Sequence, residues 1–390
     1  MVIFMISNFN GNRLKAARLY RGYSLAELAQ KSDCSRQSLS MYESGKTKPL
    51  EAVIVMKIAE ALNFPSKFFM EKDLPISSNV TYFRSLLTTK QSYRFEQIQR
   101  MDLVAAIYNF LKDYVEFPKV DIPDCSLKTP EEAAKYLRKY WNLGNGPIQN
   151  LIDVVEQHGI IVTCFPTKTD TIDAFSQKVD INIDEHAFLI GYSNNKNSAA
   201  RIHFDIAHEL GHICMHDWTE SIEKLDRVEF KEREKEANMF ASAFLLPENT
   251  FKAQFYTDKI NIPFLTLLKS QWKVSIQAIV KRAYDLGLIS IEKYQSLMII
   301  LQKRGLRKNE PLDDKLITAP PSLLKIAVEM LLNDDVFTKE EFMEELSLNY
   351  DLSLAPGEVE ELLDLPENTL KDDEDHFFSH TIKLKIVQTT

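Results

Sequence analysis

Ala207-His208-Glu209-Leu210-Gly211-His212 is the stretch from which this chain is best read. It is His-Glu-x-x-His within a helical pattern. On an α-helix, residues i and i+4 share a face, so His208 and His212 can turn two imidazoles toward one ion. Glu209 follows the first of them by one residue. A carboxylate there sits beside the ion without binding it and can take a proton from water at the metal. Asn194 to Asn197 reads as a turn, and Ser198 as the N-cap of this helix. Upstream, Thr129-Pro130-Glu131-Glu132 opens a helix to about Trp141, with Thr129 as N-cap and Glu132 as the capping-box acid. A second helix spans Ile148 to His158. Strands follow at Ile160 to Phe165, Ile172 to Phe175 and Ala187 to Tyr192. Helices, strands and then the motif helix make an α+β domain.

The whole chain of 390 residues is long enough for two or three domains, and 45% apolar with 26% charged residues suits a folded protein with a sizeable core. The formal net charge of −9 means that any nucleic-acid binding must come from a local basic surface. The four cysteines, Cys34, Cys125, Cys164 and Cys214, show no Cys-x-x-Cys spacing. That pattern points to a reducing cytoplasm and away from a disulfide framework. The apolar start, Met1 to Ile6, is too short for a signal peptide, and no apolar run approaches the ~20 residues of a membrane span. No membrane partner is expected.

Residues 10–70 depart from the acidic average, with ten basic against five acidic side chains. Short helical patterns succeed one another there: Asn12 to Tyr20, Ser24 to Lys31, Ser35 to Ser44 and Pro49 to Leu62. The residues Arg13-Leu14-Lys15-x-x-Arg18, Ser24-Leu25-x-Glu27-Leu28-Ala29, Ser35-Arg36-Gln37-Ser38-Leu39-Ser40 and Tyr42-Glu43-Ser44-Gly45-Lys46 resemble the Xre (Cro/C1-type) helix-turn-helix family. The resemblance implies a double-stranded DNA operator as partner, with the third helix entering the major groove. Ser35, Arg36, Gln37, Ser38 and Ser40 are then the candidate groove contacts, because Arg and Gln can bind guanine and adenine through two hydrogen bonds. Lys46 and Lys48 are candidate phosphate contacts, which position the protein without reading sequence. Leu25 stands where many family members carry Gln, so one DNA contact of the family is in doubt.

Gln91 to Tyr114 reads as one long amphipathic helix between the modules. It is a candidate oligomerisation element for a homodimer, and core packing is the commoner use of such a helix.

A catalytic zinc needs three protein ligands and one open position. His216 lies one turn past His212, but three ligands along one helix axis match a tetrahedron poorly. Met215 and Trp218 occupy the positions where a metzincin has Gly and His, so that class is excluded. The next helix, Glu229 to Leu245, offers Glu232, Glu234 and Glu236. Phe204-Asp205-Ile206-Ala207-His208-Glu209-Leu210-Gly211-His212, followed by Glu234-x-Glu236-Ala237-Asn238-x-Phe240-Ala241-x-x-Phe244-Leu245-Leu246-Pro247, resembles the ImmA/IrrE family of metallo-endopeptidases. The resemblance implies a gluzincin-like site: His208, His212 and Glu236 as zinc ligands, with Glu232 as the runner-up for the third, and Glu209 as general base. Mn2+ or another divalent ion fits the same donors, since affinity order and availability both select the metal. Tyr192, Arg201 and His203 are candidates for the oxyanion stabiliser. Cys214, His216 and Trp218 read as packing or wall residues.

The expected fold is α+β and mainly helical. It comprises a helix-turn-helix domain at 10–70, a helical linker at 71–128, a zincin-like peptidase domain with a small sheet at 129–260, and a helical, acidic C-terminal region at 261–390. Within that last region, Trp272 to Leu288 has the rhythm of a second helix-turn-helix, although packing against the peptidase is the plainer reading. The acids of residues 329–375 read as a solvated surface or as a tail set against the basic front module. The family resemblance implies a protein substrate, a helix-turn-helix repressor cut to change transcription during stress or mobile-element control. A non-proteolytic regulator that senses a ligand or metal is the alternative.

Overall fold

The computed structural model describes residues 5–46, 49–74, 78–83, 90–168, 173–181, 185–195, 198–218 and 225–371. Among them the fold is α+β and mainly helical, as the sequence leads one to expect. At the front, β1 (Met5–Ile6) is followed by α1 (Gly11–Tyr20), α2 (Leu25–Ser32) and α3 (Arg36–Glu43). Strand β2 (Leu50–Glu51) and α4 (Ala52–Leu62) complete the module. Ser24 closes a capping box with Glu27, and the Ser35 hydroxyl accepts the Ser38 amide, so both expected N-caps start their helices. The fourth helix begins three residues later than its pattern suggests. Leu50 and Glu51 instead pair antiparallel with Ile6 and Met5 and close the module.

The sheet carries the middle of the chain. Strand β3 (Ser78–Phe83) forms one edge, and helix α5 (Gln91–Lys112) follows it. Helices α6 (Pro130–Tyr140) and α7 (Leu151–Gln157) come next, then β4 (Ile160–Phe165), β5 (Ala174–Asp180) and β6 (His186–Ser193). The strand order is β3-β5-β6-β4; β4 runs parallel to β6, and the other two pairings are antiparallel. The second expected strand starts at Ala174, and Ile172 lies outside the described residues.

Successive residues of a strand face opposite sides, and here both sides are covered. Ile160, Val162, Cys164, Phe188, Ile190 and Tyr192 join one core. Ile161, Phe165, Phe175, Val179, Ala187 and Leu189 join the other. That is why Ile160–Phe165 and Ala187–Tyr192 read as continuous apolar runs. The second core also holds α1, α4 and α5. Helix α5 is buried from Met101 to Tyr108 without a break, so within its own chain it is a core helix.

The motif helix α8 (Ala199–Met215) and its neighbour α9 (Arg227–Leu245) pack on the first face of the sheet. Ser198 occupies the N-cap position, but its hydroxyl donates to Asp313 and caps nothing. Helices α10 (Glu248–Gln254), α11 (Ile262–Trp272), α12 (Ile276–Asp285) and α13 (Ile291–Lys303) extend this layer. Their apolar faces, Leu265, Leu268, Trp272, Ile276, Ile279 and Val280, belong to the same core, so the Trp272 to Leu288 segment packs against the peptidase-like layer. Lys269, fully buried, joins the unit by pairing with Glu310 and Asp313.

Helices α14 (Leu323–Asn333), α15 (Lys339–Asn349) and α16 (Pro356–Leu362) turn back to the second core. Their acids do not all face solvent. Glu358 accepts from Tyr20 of α1 and from Arg21, the C-cap of that helix. Asp372 to Asp375 lie outside the described residues.

Gly211 sets how closely α8 and α9 approach. A Cβ added there would sit 3.0 Å from Cδ1 and 3.2 Å from Cβ of Phe240. Gly211→Val should therefore push the helices apart and destabilise the chain by about 1–3 kcal/mol, the usual cost of overpacking. Urea unfolding, with the slope compared as well as the midpoint, measures it.

Candidate metal centre and nucleic-acid interface

Helix α8 turns His208 and His212 inward, and their side chains are 0% and 1% exposed. Their Nε2 atoms lie 3.1 Å apart. Helix α9 brings one carboxylate to the pair, that of Glu234. Its Oε2 is 3.4 Å from Nε2 of His208, and its Oε1 is 3.2 Å from Nε2 of His212. These three residues form a group whose donor atoms lie close enough to share one ion. The expected third ligand, Glu236, is elsewhere: its Oε2 lies 3.1 Å from Nε2 of His216, and its side chain is 46% exposed.

The placement of the two carboxylates has a simple geometric cause. Two residues apart on a helix means about 200° of rotation, so Glu234 and Glu236 cannot face the same pair. Phe230, Ala237, Ala241 and Phe244 are the buried stripe of α9. Glu234 falls on that stripe, four residues after Phe230 and three before Ala237. Glu232 lies off it. The stripe was the signal in the sequence that could have picked out Glu234.

The donor set fits a tetrahedral cation. Ligands bound at about 2.0–2.2 Å around a tetrahedron lie roughly 3.3–3.6 Å from one another. The observed separations of 3.1, 3.2 and 3.4 Å are close to that. Burial pulls the His212 imidazole down to about 4, against the opposing influence of Glu234, and so holds it neutral as a ligand must be. Burial would raise the Glu234 carboxyl, but hydrogen bonds from His208 and His212 outweigh it and keep the group ionised.

Glu209 is 1% exposed. Its Oε2 accepts a 2.5 Å hydrogen bond from Ser176 Oγ on β5. Ser176 is paired across the sheet with Tyr82 of β3. The Tyr82 ring packs 4.7 Å from the His212 ring and 4.5 Å from Trp218, centre to centre. The Trp218 indole N–H donates to the His212 carbonyl. Sequence reasoning missed both Ser176 and Tyr82, since nothing local in either strand marks a catalytic neighbour. Asn238 Nδ2 donates to the Glu234 carbonyl, a bond within its own helix. Cys214 is buried, and burial pushes its thiol up.

The three oxyanion candidates have partners away from the His pair. Arg201 donates to the Lys308 carbonyl, His203 meets Thr318, and Tyr192 shares a hydrogen bond with Cys164.

In the front module, Arg36, Gln37, Ser40 and Lys46 are exposed on and just after α3. Ser35 is also exposed, but its hydroxyl is engaged with the Ser38 amide and with the half-buried Ser38 hydroxyl. Lys48 lies outside the described residues. Several of the basic residues that made this segment stand out are internal. Arg13 donates to the Lys72 and Asp351 carbonyls, Arg18 pairs with Glu43, and Arg21 pairs with Glu358.

Residues 14–69 match the helix-turn-helix family model, and residues 155–284 match that of the IrrE N-terminal-like domain. The chain joins a helix-turn-helix module to an IrrE-like domain. The second match runs from α7 through β4, β5 and β6, both site helices and on to α12, so it takes in all three donors and Glu209. It marks the second part as metallopeptidase-like. No curated protein matches the chain. Among the described residues, no helix is long and apolar enough to cross a membrane.

Two measurements follow. Burial brings His203 from its ordinary 6.5 down to about 4. The unfolded chain therefore takes up this proton at higher pH than the folded one, and stability falls as pH drops from about 6.5 toward 4. His203→Gln should flatten that decline when urea midpoints at the two ends are compared. On the front module, Arg36→Ala should weaken operator binding by about 1–3 kcal/mol if Arg36 makes a two-bond base contact. Lys46→Ala should instead reduce the salt slope by about 1. Unchanged operator affinity for Arg36→Ala at physiological salt would point to a protein partner for this module.

Proposed function

We propose that this protein is a divalent-metal-dependent endopeptidase, zinc in the first instance, delivered to its target by a DNA-binding module. The observation that carries the reading is the convergence of His208, His212 and Glu234 with Glu209 beside them on α8. His208, His212 and Glu234 would hold the ion. When bound, it would polarise the scissile carbonyl and bring the pKa of nearby water toward ~7. Glu209 takes the proton of the attacking water and returns it to the leaving nitrogen. The Ser176 hydroxyl holds Oε2 of Glu209, so the carboxylate works from a fixed orientation. The proposed substrate is a helix-turn-helix repressor in the cytoplasm, cut to change transcription in stress or mobile-element control. Carrying operator recognition and cleavage in one chain raises the local concentration of the peptidase at a bound repressor. A homodimer on a two-fold operator agrees with this reading.

One observation favours a second reading, a regulator that senses a metal or ligand and does not cut. Both imidazoles and Glu209 are no more than 1% exposed, with the Tyr82 ring packed on His212. Glu209→Gln separates the two. Metal analysis should show that the variant keeps its ion, while cleavage of repressors encoded nearby falls by about 10²–10⁴-fold. A metal-loaded variant that cuts or derepresses like the unaltered protein would sink the peptidase reading.

A further inference from the structure

His212 uses both ring nitrogens. Nε2 faces His208 and Glu234, while Nδ1 lies 2.8 Å from Nδ1 of His216. His216 in turn sets its Nε2 3.1 Å from Oε2 of Glu236. An ionised carboxylate only accepts, and a neutral imidazole has one N–H and one acceptor nitrogen. Nε2 of His216 is therefore the donor to Glu236, which leaves its Nδ1 as an acceptor. When a cation lies between His208, His212 and Glu234, Nε2 of His212 must offer it a lone pair, so the His212 N–H sits on Nδ1 and donates to that acceptor.

The chain of bonds is also held in place mechanically. The Tyr82 ring lies over both imidazoles, at 4.7 Å from His212 and 6.2 Å from His216. Arg233 and the Asp217 carbonyl fix the Tyr82 hydroxyl. The Trp218 indole holds the backbone of His212 from the other end of the segment. Glu236 is the end of the relay at the half-exposed rim.

We propose that Glu236 and His216 are positioning residues that set the tautomer of His212 and direct its Nε2 lone pair at a divalent cation. This rests on the metal-centre reading of His208, His212 and Glu234. Glu236 acts on the site through two imidazoles, without touching the ion. A carboxylate placed behind a ligand imidazole raises its basicity and fixes its orientation, and losing such a partner commonly costs 10–100-fold in metal affinity.

The test uses the full chain and zinc alone. Affinity is measured by competition with a chromogenic chelator for the unaltered protein and for Glu236→Ala, Glu236→Gln, His216→Ala and Glu234→Ala. Glu236→Ala and His216→Ala should each weaken zinc binding by about 10–100-fold with the stoichiometry unchanged. Glu236→Gln should recover most of the loss, since its amide oxygen can still accept from His216. Because Glu236 is half exposed, its variants should fold even if His216→Ala does not. Unchanged affinity in Glu236→Ala overturns the proposal. So does a greater loss in Glu236→Ala than in Glu234→Ala, which would make Glu236 a ligand. If the unaltered protein binds no zinc, the metal-centre reading fails and the proposal with it.

Discussion

The close approach of α8 and α9 is the constraint on which the site depends. A helix places His208 and His212 on one face by its own geometry. It cannot supply a carboxylate on the far side of the ion, and that donor has to come from another element. Glu234 reaches the pair because the two helices come close together, with Gly211 of α8 set against Phe240 of α9. The sheet adds the second restraint, since Ser176 on β5 holds Glu209 at the back of α8. Burying two carboxylates and two imidazoles so close together costs free energy unless each is hydrogen-bonded or shares a cation. The bonds from Ser176 and between Glu234 and the two histidines meet part of that requirement, and a bound divalent ion would meet the rest.

A similar economy governs charge in the front module. Net basicity over residues 10–70 suggests a strongly positive surface, yet Arg13, Arg18 and Arg21 are spent on internal bonds. Lys57 pairs with Asp33 in full view of solvent, where such a pair contributes little to stability. Among the described residues, the exposed cations on α3 and in the flanking residues include Lys31, Arg36 and Lys46. Each phosphate contact adds to the affinity and to the salt dependence of DNA binding. The acidic C-terminal helices lie against α1, behind the module, and leave the exposed residues of α3 open.

What could be read in the sequence was what depends on local geometry. The i, i+4 histidine pair, the N-caps at Ser24, Ser35 and Thr129 and the two continuous apolar strands are decided by residues a few positions apart. What could not be read depends on where distant segments dock. Family likeness favoured Glu236 because it adjoins Ala237-Asn238, whereas the rotational phase of α9, set by its packing on α8, selects Glu234. Ser198 has the right type and place for an N-cap, but Asp313, far along the chain, takes its hydroxyl. Ser176 and Tyr82 enter the site through strand pairing, which a one-residue change of register would undo.

Strand β3 ties these observations together. It belongs to the stretch between the front module and the peptidase-like layer, yet it is the edge of the sheet, and it places Tyr82 on His212. An edge strand has a free row of backbone groups on one side only, so β3 occupies the side of β5 that an extended peptide would otherwise meet. The ring that shields His212 is thus held by one antiparallel pairing and by two hydrogen bonds at its hydroxyl, from Arg233 and to Asp217. An aromatic ring over a buried imidazole excludes water, which strengthens every charge interaction beneath it. It also covers the His pair from this side.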